Sequence, residues 1–423
     1  MLHAMVFAHP FTLIFLTLLG LGTGFQYWLL WRQYHHVGAC RDTVPGAFAE
    51  QVTPDEHRKA ADYTRARLFP GAVGLAIEVV MVSLWTVGGG LEALDQLWLK
   101  GAFSPLVAGL GLLTSLAFVG GLVDLPLSLW RIFGIEARFG FNRTTLARFL
   151  IDLCLESVVF LILMLPLMAA LLWLMARAGP LWWLAAWALW MAFMLLVSWL
   201  FPTLIAPLFN RFDPLPAGEL RQRIEALLVR CGFSSRGIFV MDGSRRSGHG
   251  NAYFTGLGRA KRIVFFDTLM SALAPAELEA VLAHELGHFH HRHVQRRILG
   301  IALASLIGLA MLGWLAAQSW FFTALGVSRV SDALAVALFL LVVPVFTLWF
   351  QPLMAYWSRR QEFQADAFAV RHSDGPALIR ALVRLYRDNA NTLTPDPLYS
   401  ACHDSHPPAS IRISHLFASM GAS

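Results

Sequence analysis

The sequence predicts a mainly α-helical integral membrane protein with seven transmembrane helices and a small α+β insert between the fifth and sixth. Three observations carry that expectation: an apolar composition, seven apolar stretches of membrane-spanning length, and one polar segment whose pattern differs from all of them. Of the 423 residues, 57% are hydrophobic and only 14% are charged, against about 25% charged in a typical soluble domain. The 15 Trp and 31 Phe suit interfacial belts and lipid-facing helices. The net charge of +6 does not indicate nucleic acid, because the basic residues are confined to loops, as expected of a membrane protein with positive cytoplasmic loops.

A bilayer crossing takes about 20 apolar residues. Stretches of that kind lie at 8–31, 69–91, 102–125, 149–176, 180–205, 298–323 and 333–354. The N-terminal stretch lacks a basic leader and a small-residue cleavage site, so it reads as a retained first helix. Short loops holding Lys100, Arg177 and Arg329 join the second to third, fourth to fifth and sixth to seventh helices. The other connections are far more basic, with six Lys/Arg from Arg32 to Arg67, four from Pro126 to Arg148, eleven from Arg211 to Arg292 and seven after the last span. This asymmetry places the N-terminus outside and the C-terminus in the cytoplasm. The composition suits a bacterial inner membrane, or the endoplasmic reticulum if the host is eukaryotic. The expected organisation is five membrane helices in 1–205, a cytoplasmic insert in 206–297, two more helices in 298–354 and a cytoplasmic segment in 355–423.

Within the insert, Glu219 to Cys231 is an amphipathic helix pattern, and residues 237–241 and 262–266 are short β-prone runs. The Gly- and Ser-rich stretch from Asp242 to Gly258 reads as the loop between them. Pro275 then opens a helix, with Glu277 in its first turn, running from Ala276 to about His291. The four cysteines, Cys40, Cys154, Cys231 and Cys402, show no metal-type spacing; Cys154 reads as a small core residue of an apolar helix.

That last helix contains His284-Glu285-Leu286-Gly287-His288. Residues i and i+4 share a helix face, so both imidazoles can reach one metal ion, and Glu285 can act as general base on a water at that metal. A catalytic zinc wants three protein ligands and an open position. Glu362, after the seventh span, is the candidate third ligand, and Asp366, one turn on, could hold a ligand histidine's second nitrogen. The spacing alone equally allows a solvated face pairing with Arg359 or Arg360. His290, His291 and His293 have helical phases unlike the two motif histidines and read as a polar cluster at the membrane edge. Glu78, Asp152 and Glu156 fall inside apolar spans, where carboxylates usually face water or a bundle interior. A hydrated chamber would account for them, although Asp152 could equally sit at the lipid interface.

Taken together, these blocks resemble the Ste24-type CAAX prenyl proteases, the integral-membrane branch of the M48 zinc metallopeptidases. The resemblance rests on His284 to His288, on Glu362-Phe363-Gln364-Ala365-Asp366, on Asn251 to Gly256, on Arg262 to Leu269, and on Ser405-His406-Pro407-Pro408 with Arg412. Glu136 to Asn142 and Ile205 to Asn210 fit as well. It implies seven helices around a large water-filled chamber, a small cytoplasmic α+β zinc-metallopeptidase domain, and one Zn2+ per chain held by His284, His288 and Glu362. It further implies cleavage near a prenylated cysteine, with Asn251 on the substrate backbone, His406 on the oxyanion and Arg412 supporting that corner. From the residues alone these three would be a turn residue, a loop histidine and a lipid-phosphate contact.

The expected partners are a peptide or lipidated peptide and membrane lipids, with no nucleic acid. Two other readings compete: general quality-control proteolysis of the HtpX type, whose members have about four spans, and a transporter or receptor with structural zinc. Glu285 argues against the second, since a structural site needs no base.

Overall fold

The computed structural model of the protein describes residues 6, 9–233, 235, 237–255 and 262–421. Residue 8 of the first expected span, Gly256 to Gly258 of the expected loop, and the end of the C-terminal tail lie outside these. Among the described residues, seven helices are long and apolar enough to cross a membrane: Pro10–Ala39, Pro54–Trp85, Pro105–Phe139, Leu146–Arg177, Gly179–Phe209, His293–Leu315 and Asp332–His372.

The first two, α1 (Pro10–Ala39) and α2 (Pro54–Trp85), run well past the expected apolar stretches into the polar region. The extension of α2 has a local cause. Thr53 and Glu56 form a reciprocal cap and Pro54 occupies the first turn, so the helix nucleates well before its apolar part, at 54 rather than 69. It also stops at Trp85, short of the expected 91, because Gly89 turns the chain at φ 76°. A short α3 (Gly90–Lys100) follows, held to the sixth–seventh loop by Arg329, whose guanidinium donates to both oxygens of Asp95 at 2.9 and 2.5 Å.

Next come α4 (Pro105–Leu129), prolonged by a π-helical turn over Trp130–Glu136, then α5 (Leu146–Arg177) and α6 (Trp182–Leu200). The insert has a four-stranded sheet: β1 (Phe212–Pro214), β2 (Ile238–Met241), β3 (Ala252–Thr255) and β4 (Arg262–Phe266), in spatial order β1-β2-β4-β3. The expected loop between the two β-prone runs therefore contains a strand. β3 pairs antiparallel with β4, leaving β2 and β4 parallel neighbours and β3 at an edge.

Helices α7 (Glu219–Arg230), α8 (Asp267–Ala272) and α9 (Pro275–His290) pack on the sheet. The sixth expected span divides into α10 (His293–Leu315) and the short α11 (Ser319–Thr323). Then α12 (Asp332–Thr347), the most enclosed membrane helix, runs through a 3-10 turn into α13 (Gln351–His372). The chain closes with α14 (Gly375–Asp388), α15 (Pro397–His403) and α16 (Ala409–Gly421).

Two large apolar cores and a smaller one around Tyr63, Ile135 and Phe141 form among the described residues. One large core gathers α12 residues Leu334 to Leu338 with Phe321, Phe322, Leu112 and Phe15 inside the membrane bundle. The other joins the sheet, α9, α13, α14 and α16 through Ile263, Phe265, Leu286, Phe368, Leu382 and Leu416. Cys154 belongs to none of them: it is exposed on α5 rather than packed in a core.

The intramembrane carboxylates line internal spaces. Asp152 and Glu156 face a cavity of about 1080 Å³, Glu78 one of about 830 Å³, and Asp124 lines both, so the two adjoin. Asp152 does not sit at the lipid interface. Arg246 grips it through two hydrogen bonds of 2.8 Å and a third guanidinium nitrogen donates to Asn210 Oδ1 at 2.8 Å, which fastens the insert to α5.

Helix α9 lies directly against α13 at Gly287. A Cβ there would stand 2.8 Å from Ala365 Cα and 3.0 Å from its carbonyl oxygen. Backbone cannot yield as a side chain can, so Gly287→Ala should cost about 1–3 kcal/mol by overpacking. The expected outcome is a lower melting temperature and reduced metal content of the detergent-purified protein, read by thermal denaturation and metal analysis.

Candidate metal centre

The contact at Gly287 sets the site. It brings His284 and His288 of α9 across from Glu362 of α13, and these three are the group able to hold a metal ion among the described residues. His284 Nε2 lies 3.3 Å from His288 Nε2 and 3.4 Å from Glu362 Oε2, and His288 Nε2 lies 3.3 Å from Glu362 Oε1. Donors bound 2.0–2.1 Å from a tetrahedral zinc are roughly 3.3 Å apart, so the triangle already has the right size. Glu362 Oε2 is buried and lacks a hydrogen bond, which suits a lone pair directed at a cation. A His2Glu set with its fourth corner open is a catalytic, rather than structural, donor set. Glu285, half-buried beside the triangle, has no hydrogen bond or ion pair to another described residue, so its carboxylate is available to a water.

A supporting layer orients these groups. His284 Nδ1 donates to Asp366 Oδ1 at 2.8 Å, which leaves its Nε2 lone pair for the metal. Asp366 is fully buried and receives Arg412 Nε at 2.9 Å and a second guanidinium nitrogen at 2.5 Å. Arg412 thus belongs to the interior, not to lipid phosphate. Burial disfavours its charge, yet Asp366 and Glu362 outweigh that and keep it protonated. Arg359, a possible partner of the acids on sequence grounds, binds elsewhere. One of its nitrogens donates to the carbonyls of Ser400, Ala401 and Asp404 at 3.2, 3.0 and 2.9 Å, which holds the loop that carries His406.

His293 departs from its expected place in a membrane-edge cluster. It is buried, with Nδ1 3.0 Å from His288 Nδ1 and Nε2 2.9 Å from Gln364 Oε1. For His288 to keep its Nε2 lone pair, its Nδ1–H must donate to His293 Nδ1, and His293 must in turn donate to Gln364. His290 and His291 do lie outside the triangle, against Phe368.

The three remaining candidates surround the open side. His406 Nε2 lies 3.5 Å from Glu362 Oε1; surrounding protein lowers its pKa although the Glu362 charge opposes this, and a neutral ring can donate to an oxyanion. Asn251 is exposed and lines the 1080 Å³ cavity one residue before edge strand β3. Its own loop is pinned by Asn389, whose Oδ1 accepts from Gly250 N at 3.0 Å, and by His249, which lies 3.3 Å from Glu136 Oε2. His293, Arg359, Asn389 and the His249–Glu136 pair escaped the sequence reading because their partners are remote in the chain; His293 alone had a hint, lying one turn past the motif.

Comparison with known proteins identifies the family. Residues 33–211 match the CAAX prenyl protease N-terminal region of five membrane helices, and residues 214–419 match peptidase family M48. The CAAX prenyl protease 1 homologue of Arabidopsis thaliana is 33% identical over 86% of this chain and 88% of its own length. The CAAX prenyl protease 1 of Saccharomyces cerevisiae is 30% identical over 93% and 92%. The crystal structure of S. mikatae Ste24p superposes with a TM-score of 0.90 at 29% identity, covering 96% of this chain and 99% of that one.

A multi-pass membrane metallopeptidase is the class this fold and site define. The chain belongs to the CAAX prenyl protease branch of peptidase family M48.

Two outcomes follow from the supporting layer. Replacing His293 with Ala should weaken metal binding about 10- to 100-fold, measured by chelator competition. Burial would lower the His284 pKa, but Asp366 and Glu362 carry it up to about 9, so a metal at Nε2 competes with a proton. Affinity should therefore rise with pH up to about 9 in the same assay.

Proposed function

We propose that this protein is a zinc endopeptidase that cuts near the C-terminus of CAAX-type prenylated, or otherwise membrane-associated, peptides. One Zn2+ per chain is held by His284, His288 and Glu362. The observation that carries the reading is the donor triangle of about zinc size, with Glu285 beside it making no hydrogen bond or ion pair among the described residues. The catalytic half lies on the cytoplasmic side and the N-terminus outside, supported by the Lys/Arg excess of the loops on the catalytic side. Composition favours a bacterial inner membrane.

Bound in that triangle, zinc supplies Lewis acidity, lowering the pKa of a water toward about 7 and polarising a carbonyl. Glu285 takes the proton of the attacking water and delivers it to the leaving amine. His406, kept neutral by its surroundings, donates to the developing oxyanion, while Arg412 and Asp366 hold His284 in the required tautomer. An extended substrate adds to the free edge of β3, with Asn251 on its backbone, so binding depends little on side chains. The chamber admits an unfolded or lipid-bearing end and excludes folded domains.

The test is cleavage of a farnesylated CAAX peptide and its unprenylated twin by detergent-purified protein. Glu285→Gln should lower turnover about 10²- to 10⁴-fold while one zinc per chain is retained, and the farnesylated peptide should have the higher kcat/KM. Equal cleavage of the two would replace this reading with general membrane proteolysis.

A further inference from the structure

Two of the candidate substrate-contacting residues line different cavities. Asn251 lines the large one of about 1080 Å³, whereas His406 lines a separate, smaller one of about 450 Å³. His406 with its loop, and Arg67 from the cytoplasmic part of α2, both line the small cavity. A volume of that order holds a small ligand or a short peptide end, not a continuing chain with a folded domain behind it.

Arg67 stands apart from its neighbours. Arg32 and Arg41, at the same cytoplasmic end of the bundle, are committed to Asp396 and Asp62 at 2.8 and 2.7 Å. Arg67 has no carboxylate within ion-pair distance among the described residues; its guanidinium carbon instead lies 5.4 Å from the centre of the Tyr63 ring. A guanidinium carries five N–H donors, more than its contact with Tyr63 can use, in a fork that matches a carboxylate in two parallel hydrogen bonds. Other lining residues, Thr64, Asn391 and Thr392, are polar and uncharged. The one acid, Asp404, is pushed up by burial, so it repels an incoming anion less than an ordinary aspartate would.

We propose that Arg67 receives the free C-terminal carboxylate of the substrate in this small cavity. The inference rests on the endopeptidase reading above and deepens it. The peptide lies with its upstream part along β3 and the large cavity, crosses the metal triangle at the scissile bond, and places its last residues past His406. Every chain end carries one carboxylate, and an internal segment carries none at that position. Arg67 thereby converts an endopeptidase site into one that counts from the C-terminus.

The experiment compares one farnesylated CAAX peptide synthesised with a C-terminal carboxylate and with a C-terminal amide, using full-length detergent-purified protein. Wild type should show a KM at least about tenfold lower for the acid, a preference worth about 1.4 kcal/mol. In Arg67→Gln that acid-to-amide ratio should collapse toward one through KM, with kcat for the acid held within about twofold. Arg67→Lys, which keeps the charge without the fork, should retain part of the preference, and unchanged zinc content would show that both variants fold. An undiminished ratio in Arg67→Gln, or no preference in wild type, overturns the role of Arg67. Failure of zinc-loaded wild type to cleave either peptide overturns the endopeptidase reading and this inference with it, an outcome distinct from loss of discrimination alone.

Discussion

The close approach of α9 to α13 at Gly287 and Ala365 is the constraint on which the rest depends. Helices normally pack 8–10 Å apart, with side chains between them. Here a glycine lets one backbone rest on the other, and only then do His284 and His288 reach Glu362. The glycine of the motif is thus a packing residue, and the membrane span α12, continuous with α13 apart from one 3-10 turn, delivers Glu362 to it. The metal triangle therefore reports on the membrane bundle as well as on the insert. A shift of α12 along its axis would carry the third donor with it.

A second layer makes that meeting durable. Asp366, Arg412 and His284 form a buried charged cluster spanning three helices, α13, α16 and α9. Buried ion pairs gain little net stability, but breaking one leaves an uncompensated charge in a poor dielectric. The cluster's effect is geometric: it sets the His284 tautomer and fixes the C-terminal helix against the metal face. The His288–His293–Gln364 chain does the same for the second histidine, without charge. Arg359 completes the arrangement by gathering the carbonyls at the end of α15, which places His406 3.5 Å from Glu362.

The polar groups inside the bundle belong to the same design. Asp152 lies on a membrane helix, yet its partner Arg246 is in the insert, so the chamber wall and the catalytic unit are tied by a charged clasp. Burying a carboxylate unpaired inside a membrane would be costly; pairing it across the chamber wall lets that cost secure the orientation of the loop that leads to Asn251.

The sequence by itself determined the class and the chemistry. Seven apolar runs, basic loops on one side and the i, i+4 histidines with their glutamate are local patterns, and local patterns are legible because helix periodicity and bilayer thickness are fixed lengths. It also placed Glu362 and Asp366 as candidates, since both lie one turn apart on one helix. Only the tertiary structure decided between the readings that spacing left open. Arg412, and not Arg359 or Arg360, is the partner of Asp366. His293 faces inward beside His288, and the Gly- and Ser-rich loop contains strand β3. Each of these depends on a partner supplied by a distant element. Hydrogen-bond partners remote in sequence leave no period or spacing in the chain, so they become visible only once the helices have packed.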